Sequence, residues 1–274
     1  MVYIHYIASN PSSPAPQPLS TWVAISPNRN TADTLFRILQ DNQGRTLKVP
    51  TARKGEATLT PQGIERLSPK LWVLHTKESL DNMACLSAPA FHEVDAVFSP
   101  VAGKLFLYRM EDSQSLASVP LPQICDIDHD YISGGSFFIR RCGYPNTFWY
   151  CCGNLICLST TKRSRFVITI ADENANKDKT PMIDRDQVTI QWIDQDASKL
   201  VGVDTNEWLT VKAKDSKIFR FSDFQGRFHL GNEGTEHNPG PASLTTNLDV
   251  VCWSSPHVFH DSFELCYGIA PCDE

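Results

Sequence analysis

Short runs in which apolar and polar residues alternate follow one another through the C-terminal half of the chain. Alternation of this kind, bounded by turn residues, predicts β-strands that bury one face. The runs lie at 136–141, 147–152, 155–160, 165–170, 187–192, 199–203, 208–211, 218–221, 227–230, 248–253 and 262–266. We therefore expect residues 131–274 to form a domain built from β-strands.

The predicted strands fall into three consecutive sets of about four, each spanning roughly 40–50 residues, although one strand of the last set is not obvious. A single set cannot bury its apolar face alone, so the three sets are expected to pack together. Matched aromatic residues, namely Phe166, Phe219 and Phe263, recur in the closing strands. The pattern therefore predicts a repeat architecture.

In this rhythm and in these aromatic residues, the segment 131–268 resembles β-trefoil proteins. The segment resembles trefoil-like proteins of filamentous fungi most, and fascin-like trefoils less closely. It implies a closed barrel of twelve short strands with a hairpin cap and pseudo-threefold symmetry. The Q-x-W motif of ricin-type lectins is missing, because Gln191 and Trp192 are adjacent. No binding residue is carried over from these families.

The Gly-Asn dipeptide at 153–154 is a favourable two-residue hairpin turn. This turn would pair Cys151 with Ile156 and Trp149 with Leu158, and alternation puts these four side chains on one face. Cys151 is therefore expected in the core. The four cysteines between 142 and 157 contain no C-x-x-C pair, so we predict packing rather than a zinc site.

The N-terminal half has a less regular pattern. Residues 1–20 are rich in proline and are expected to form an extended arm, either a spacer or a ligand for a proline-recognition domain. Residues 21–130 are expected to form a β-rich domain or extension. Its predicted strands lie at 22–25, 71–75, 94–98 and 104–109, with 34–40 and 46–49 flanking a hairpin-like turn. A short helix is predicted at 60–67, with Thr60 as N-cap and Pro61 at the first helical position.

The composition and charge of the chain bear on its partners and its cellular compartment. The 274 residues carry a formal net charge of -6, which argues against a nucleic-acid partner. No apolar run approaches the ~18 residues that span a bilayer, so no membrane partner is predicted. The sequence opens without a basic and apolar leader, so we expect a cytoplasmic protein. Its nine cysteines are expected to be reduced and mostly buried thiols.

A basic cluster stands out against the negative net charge. It is expected to bind a phosphate, sulfate, carboxylate or acidic protein surface, because arginine pairs well with such groups. The alternative is a set of exposed charges that pair with Asp172 and Glu173. Trp208 follows a polar turn and is the best candidate for an exposed indole that stacks on a sugar. The cluster comprises Arg140, Arg141, Lys162, Arg163 and Arg165.

Two further segments combine carboxylates with histidine. The first could ligate a cation or serve an enzyme as a catalytic group, or it could be a solvated linker between domains. The second could supply metal ligands or a general base, or it could be an ordinary surface loop. The residues are Asp126, Asp128, His129 and Asp130 in the first segment and His257, His260 and Asp261 in the second.

No phosphate-binding loop, dinucleotide fingerprint, nucleophile elbow or H-E-x-x-H motif occurs, so no cofactor is predicted. The favoured hypothesis is a cytosolic β-trefoil binding protein that recognises a glycan, an anionic ligand or a protein partner. One alternative is a cofactor-independent enzyme, a cyclase or isomerase of specialised metabolism, with its site between the N-terminal region and the trefoil. The other is a protease inhibitor or a cytoskeletal interaction protein.

Overall fold

The computed structural model describes residues 2–11, 20–49, 57–76, 95–110, 130–171, 180–194, 198–212, 217–231, 249–254 and 261–267. The protein is mainly β. The chain divides into two compact units, an N-terminal unit, Met1–Asp130, and a barrel unit, Tyr131–Glu274. Within the described ranges, no helix is both long enough and apolar enough to cross a membrane.

The N-terminal unit is a five-stranded sheet with one α-helix and a separate small hairpin. The sheet order is β5-β6-β1-β2-β7; β1 runs parallel to β6, and the other neighbours are antiparallel. The hairpin is β3–β4. The elements are β1 Tyr3–Pro11, β2 Ser20–Ser26, α1 Arg29–Asp41, β3 Leu47–Val49, β4 Ala57–Leu59, β5 Pro61–Ser68, β6 Leu71–Thr76, a 3₁₀ helix Ala96–Phe98 and β7 Phe106–Arg109.

The predicted N-terminal arm is in part a central strand. Strand β1 lies between β2 and β6, and His5 and Ile7 on it are fully buried. Burial alternates from Ile4 to Ile7, as in a strand with one face on the core, and the pairings with β2 and β6 place the strand inside the sheet. The proline content of residues 1–20 predicted an extended arm, but the first proline is Pro11, the last residue of this strand. Residues 12–19 lie outside the described part of the chain.

Three local predictions in this unit are wrong. Residues 34–40 belong to helix α1, 60–67 fall largely in strand β5, and 94–98 contain a 3₁₀ helix. Helix α1 begins after Asn28, whose side chain accepts a hydrogen bond from Thr31 N, and it buries Leu35 and Leu39 one turn apart. Strand β5 pairs along its length with β6, and this tertiary pairing outweighs the helix-start signal of Thr60-Pro61. The strands predicted at 22–25, 71–75 and 104–109 are present.

The barrel unit contains the strands predicted from the alternation, with ends shifted by a few residues. Its elements are β8 Gly135–Arg141, β9 Phe148–Cys152, β10 Leu155–Ser159, β11 Arg165–Ile170, β12 Gln187–Ile193, β13 Ser198–Val203, β14 Leu209–Lys212, β15 Phe219–Arg220, a 3₁₀ helix Phe221–Gln225, β16 Phe228–Gly231, β17 Val250–Trp253 and β18 Phe263–Cys266. The β9–β10 hairpin has the predicted register, with Cys151 opposite Ile156 and Trp149 opposite Leu158.

Seven strands close into a barrel. Their order is β14-β13-β12-β11-β8-β9-β10, and a pairing between β10 and β14 completes the ring. Four further pairings extend it: β15 with β12, β18 with β8, β17 with β10, and β16 with β17. The interior is aromatic, since Trp149 packs edge-on against Phe166, Phe228 and Phe263. Because successive side chains of a strand point to opposite faces, the strand neighbours of these buried rings point out of the barrel.

Candidate binding face of the barrel unit

Strand alternation places the basic cluster on the outside of the barrel. Phe137 and Ile139 point inward on β8, so Phe138 and Arg140 point outward. On β11 the buried Phe166 puts its neighbour Arg165 outside. The same rule exposes the outer sides of Phe148 and Tyr150 on β9, which flank the buried Trp149. These outer surfaces form one neighbourhood because β8 lies between β9 and β11.

The connection between β10 and β11 brings Arg163 to the same neighbourhood. Ser164 fixes this connection to β9: its N–H donates to the Trp149 carbonyl at 2.9 Å, and its hydroxyl accepts from Cys151 N at 2.9 Å. Lys162 N donates to the Ser159 hydroxyl at 3.0 Å. The backbone that carries Lys162 and Arg163 is thus held by hydrogen bonds on both sides.

Two of the predicted arginines are held by carboxylates of the same unit. Arg140 Nη2 lies 2.8 Å from Glu264 Oε1, its partner across the β8–β18 ladder. Arg141 Nη2 lies 2.8 Å from Asp261 Oδ1, and its guanidinium stacks 4.2 Å from the Tyr144 ring. These pairs neutralise both guanidinium groups and join β18 to β8. Arg140 and Arg141 therefore contribute little free positive charge.

The remaining three cations rest on aromatic rings. Arg163 Cζ lies 4.5 Å and Arg165 Cζ 5.1 Å from the centroid of the Phe138 ring. Arg163 also approaches the Phe148 ring at 5.8 Å, and Lys162 Nζ lies 5.3 Å from Tyr150. Among the residues with described positions, none of the three cations has a carboxylate within ion-pair distance. We call this surface the cation–aromatic face; it comprises Phe138, Phe148, Tyr150, Lys162, Arg163 and Arg165.

The alternative partners Asp172 and Glu173 lie outside the described residues. Pairing with them stays a prediction for these cations. Among the described residues, the guanidinium groups of Arg163 and Arg165 both contact the Phe138 ring. The two Cζ atoms are therefore no more than 9.6 Å apart, which is the sum of their distances of 4.5 and 5.1 Å from the ring centroid.

Trp208 is half-buried rather than fully exposed. Its backbone N–H donates to Asp204 Oδ1 at 2.9 Å, so the polar turn before it is ordered by that carboxylate. The residue forms an isolated bridge with Cys252, and its indole nitrogen lies near Gly231. Part of the indole surface is thus used for packing, which reduces what a sugar could stack on.

Another cation–aromatic pair of the barrel unit, between Lys217 and Trp253, was not predicted from the sequence. Lys217 Nζ lies 3.0 Å from the centroid of the Trp253 ring, and burial lowers the pKa of this lysine. The Trp253 indole N–H donates to Asp223 Oδ2 at 3.1 Å. Residues 217, 223 and 253 are distant in sequence, so no local sequence motif predicts that they are in contact.

The acidic segment before the barrel unit is described only at its last residue. Asp126, Asp128 and His129 lie outside the described residues, so a cation site or catalytic role there stays a prediction. Asp130 accepts from Arg66 Nε at 2.8 Å and pairs with Arg29 at 3.2 Å. It belongs to an ion network of the N-terminal unit and is not a free ligand.

The histidine segment is described only from Asp261, which is committed to Arg141. His257 and His260 lie outside the described residues. Within the described ranges no group of three His, Cys, Asp or Glu side chains is close enough to hold a metal ion. Among the described cysteines, burial raises the pKa of both Cys151 and Cys252 to about 11. Such thiols are poor nucleophiles at neutral pH.

Comparisons with known proteins give few matches. No protein-family model and no curated protein matches the sequence. Among solved structures, the chain is similar to the binding domain of botulinum neurotoxin DC in complex with rat synaptotagmin II, with 8% identity, a TM-score of 0.32, and coverage of 97% of this chain and 94% of that one. It is also similar to a crystal structure described as HCR/D-Sa-GBL1/C, with 9% identity, a TM-score of 0.34, and coverage of 96% and 93%.

Proposed function

We propose that the barrel unit is a β-trefoil binding module whose cation–aromatic face binds an anionic ligand. The strand pairing supports the trefoil assignment. The first and last strands of the first set, β8 and β11, are paired, as are their counterparts β12 and β15 in the second set. Strands also join consecutive sets, β11 to β12 and β18 back to β8. This repeated scheme is what three packed sets of strands would produce.

The observation that carries the anionic ligand is the pair of guanidinium groups on one ring. Like charges held within 9.6 Å repel each other, and an anion placed between them relieves that repulsion. Arginine also offers parallel N–H donors that match the oxygens of a carboxylate, sulfate or phosphate. Lys162 on the neighbouring Tyr150 adds a third positive charge to the same surface.

The contacts favour an anion over a neutral glycan. Sugar rings bind by stacking on open aromatic faces, but cations already contact the rings of Phe138, Phe148 and Tyr150. The rings thus serve as platforms that hold the cations in place. At a half-exposed surface of this kind each cation–π contact contributes about 0.5–1 kcal/mol. The ligand class is accordingly the anionic group itself, whether a glycan or a protein carries it.

An array of sulfated, phosphorylated and carboxylated glycans and of acidic peptides, followed by calorimetry, tests the proposal. The variant Arg163→Gln/Arg165→Gln removes two charges and two charge-assisted hydrogen bonds, each worth about 1.5–3 kcal/mol. We therefore expect at least a tenfold loss of affinity for the anionic probe that binds wild-type protein. Binding should also weaken as salt is raised.

The matched control is Arg45→Gln/Lys104→Gln, which removes the same charge from exposed positions of the N-terminal unit. It should leave the affinity within about twofold, because it keeps all three cations of the cation–aromatic face and their aromatic rings. The proposal is wrong if no anionic probe binds, or if the two double variants lose affinity equally.

A further inference from the structure

The interior of the N-terminal unit contains a group of polar atoms without partners. Both ring nitrogens of His5, Nε1 of Trp72 and Nη1 of Arg66 are buried and have no hydrogen-bond partner among the described residues. The three side chains are neighbours: the His5 and Trp72 rings are 4.3 Å apart, and Arg66 Cζ lies 5.6 Å from the Trp72 ring. Four orphaned positions therefore share one small region.

The sheet places these side chains together on the side that faces α1. Trp72 on β6 is opposite Ile7 on β1 and Arg66 on β5. His5 lies two residues before Ile7, so it points to the same face. The Phe36 ring of α1 lies 5.2 Å from the Trp72 ring and covers the region from above. All three polar side chains are thus enclosed between sheet and helix.

The region needs hydrogen bonds but no additional charge. Arg66 and Arg29 are balanced by Asp33 and Asp130, which accept from them at 2.5–3.2 Å. Burial, with a smaller contribution from Arg66, lowers the pKa of His5 to about 3, so its ring is neutral at neutral pH. An added anion or cation would be a single unbalanced charge in the core, which is strongly unfavourable.

We propose that about one or two internal water molecules are bound here and bridge Trp72 Nε1, Arg66 Nη1 and the His5 ring. A water accepts from the indole and guanidinium N–H groups and donates to the unprotonated nitrogen of His5. Buried polar groups in folded proteins are nearly always satisfied, and ordered water is the usual partner where protein atoms do not reach. The unsatisfied atoms of these three side chains can give a water the two to four polar partners that it requires.

The barrel unit provides an internal contrast. Trp149 is also fully buried, and its Nε1 has no partner among the described residues either. Its surroundings are the aromatic rings of Phe166, Phe224, Phe228 and Phe263. An apolar environment cannot give a water its two to four polar partners, so no water is expected at Trp149.

Water–protein cross-relaxation in the full-length, ¹⁵N-labelled protein tests this inference. The indole proton of Trp72, assigned with Trp72→Phe, should give a cross-peak to a long-lived water, and that of Trp149 should give none. The variant His5→Phe keeps the aromatic stack but removes both ring nitrogens, so it should greatly weaken the Trp72 cross-peak.

No water cross-peak at Trp72 would overturn the proposal. Equal cross-peaks at Trp72 and Trp149 would also overturn it, because polar surroundings would then not select the site. An unchanged cross-peak in His5→Phe would overturn it as well, because the proposed water bridges the His5 ring. If that variant fails to fold, the comparison of the two wild-type indoles still decides.

Discussion

His5 should make the N-terminal unit sensitive to acid. The imidazole is 0% exposed, stacks on Trp72, and lies close to the buried Arg66. Desolvation, and then the positive charge of Arg66, lowers the pKa of His5 from 6.5 to about 3. Above pH 6.5 the ring is neutral in both the folded and the unfolded chain, so it adds no pH dependence there.

Below pH 6.5 the unfolded chain binds a proton on His5 that the folded protein does not bind. The free energy of unfolding then falls by about 1.36 kcal/mol for each pH unit, until the pH reaches the pKa of the folded state. The loss from His5 alone is about 3 kcal/mol at pH 4.5 and about 5 kcal/mol well below pH 3. The second figure approaches the whole stability of a typical domain, which is about 5–15 kcal/mol.

Denaturant unfolding at pH 8 and pH 4.5, compared between wild-type protein and His5→Phe, measures this effect. Carboxylates also titrate in this range, but they contribute equally to both proteins, so the difference between the two pH dependences isolates His5. Hydrogen exchange of peptides from β1 and β6 should follow the unfolding of the N-terminal unit specifically. We expect wild-type protein to lose about 3 kcal/mol more than the variant.

A control substitution, His75→Phe, removes a histidine whose side chain is 34% exposed on the neighbouring strand. It accounts for the general effect of replacing an imidazole by a phenyl ring. The reasoning fails if an NMR titration finds His5 protonating near pH 6.5. It also fails if wild-type protein and His5→Phe lose the same stability between the two pH values.

Two further predictions concern the stability of the N-terminal unit in denaturant titrations. Asp33→Asn should cost about 3–5 kcal/mol, because it leaves the buried Arg66 guanidinium only partly compensated. Asp41→Asn breaks the pair with Arg37, in which the Asp41 side chain is 48% exposed, and should cost less than about 1 kcal/mol. Similar losses in both variants would contradict the network. Asn28→Ala should cost about 1 kcal/mol, because Thr31 N loses its cap at the start of α1. Asn28→Asp should retain most of that stability, and a loss equal to that of Asn28→Ala would argue against capping.

The strands of the barrel unit could be predicted because their signals are local. In the β9–β10 hairpin, a Gly-Asn turn and strict alternation fix the register, and Cys151 faces the core as alternation requires. The φ of +63° at Gly153 is a conformation that glycine adopts without strain. The register of this hairpin could therefore be predicted from neighbouring residues alone.

The N-terminal unit could not be predicted in the same way because its elements depend on distant partners. Strand β5 is a strand because β6 pairs with it, although its sequence begins with a helix-start signal. Strand β1 is central because β6, more than fifty residues later, adds to it in parallel. Parallel pairing leaves no turn signature in the sequence, since the two strands need not be joined by a hairpin.

The charges of the cation–aromatic face and its neighbours also depend on partners that are distant in sequence. The sequence could identify the five cations, because they lie close together along the chain, but not which of them are neutralised. Glu264 and Asp261 lie 124 and 120 positions from their partners Arg140 and Arg141, and only the β8–β18 ladder brings them together. Arg163 and Arg165 differ from these two by sharing the Phe138 ring, a residue that alternation alone places outside the barrel. The positive charge available to a ligand is therefore set by strand pairing, and it is concentrated at these two arginines and Lys162.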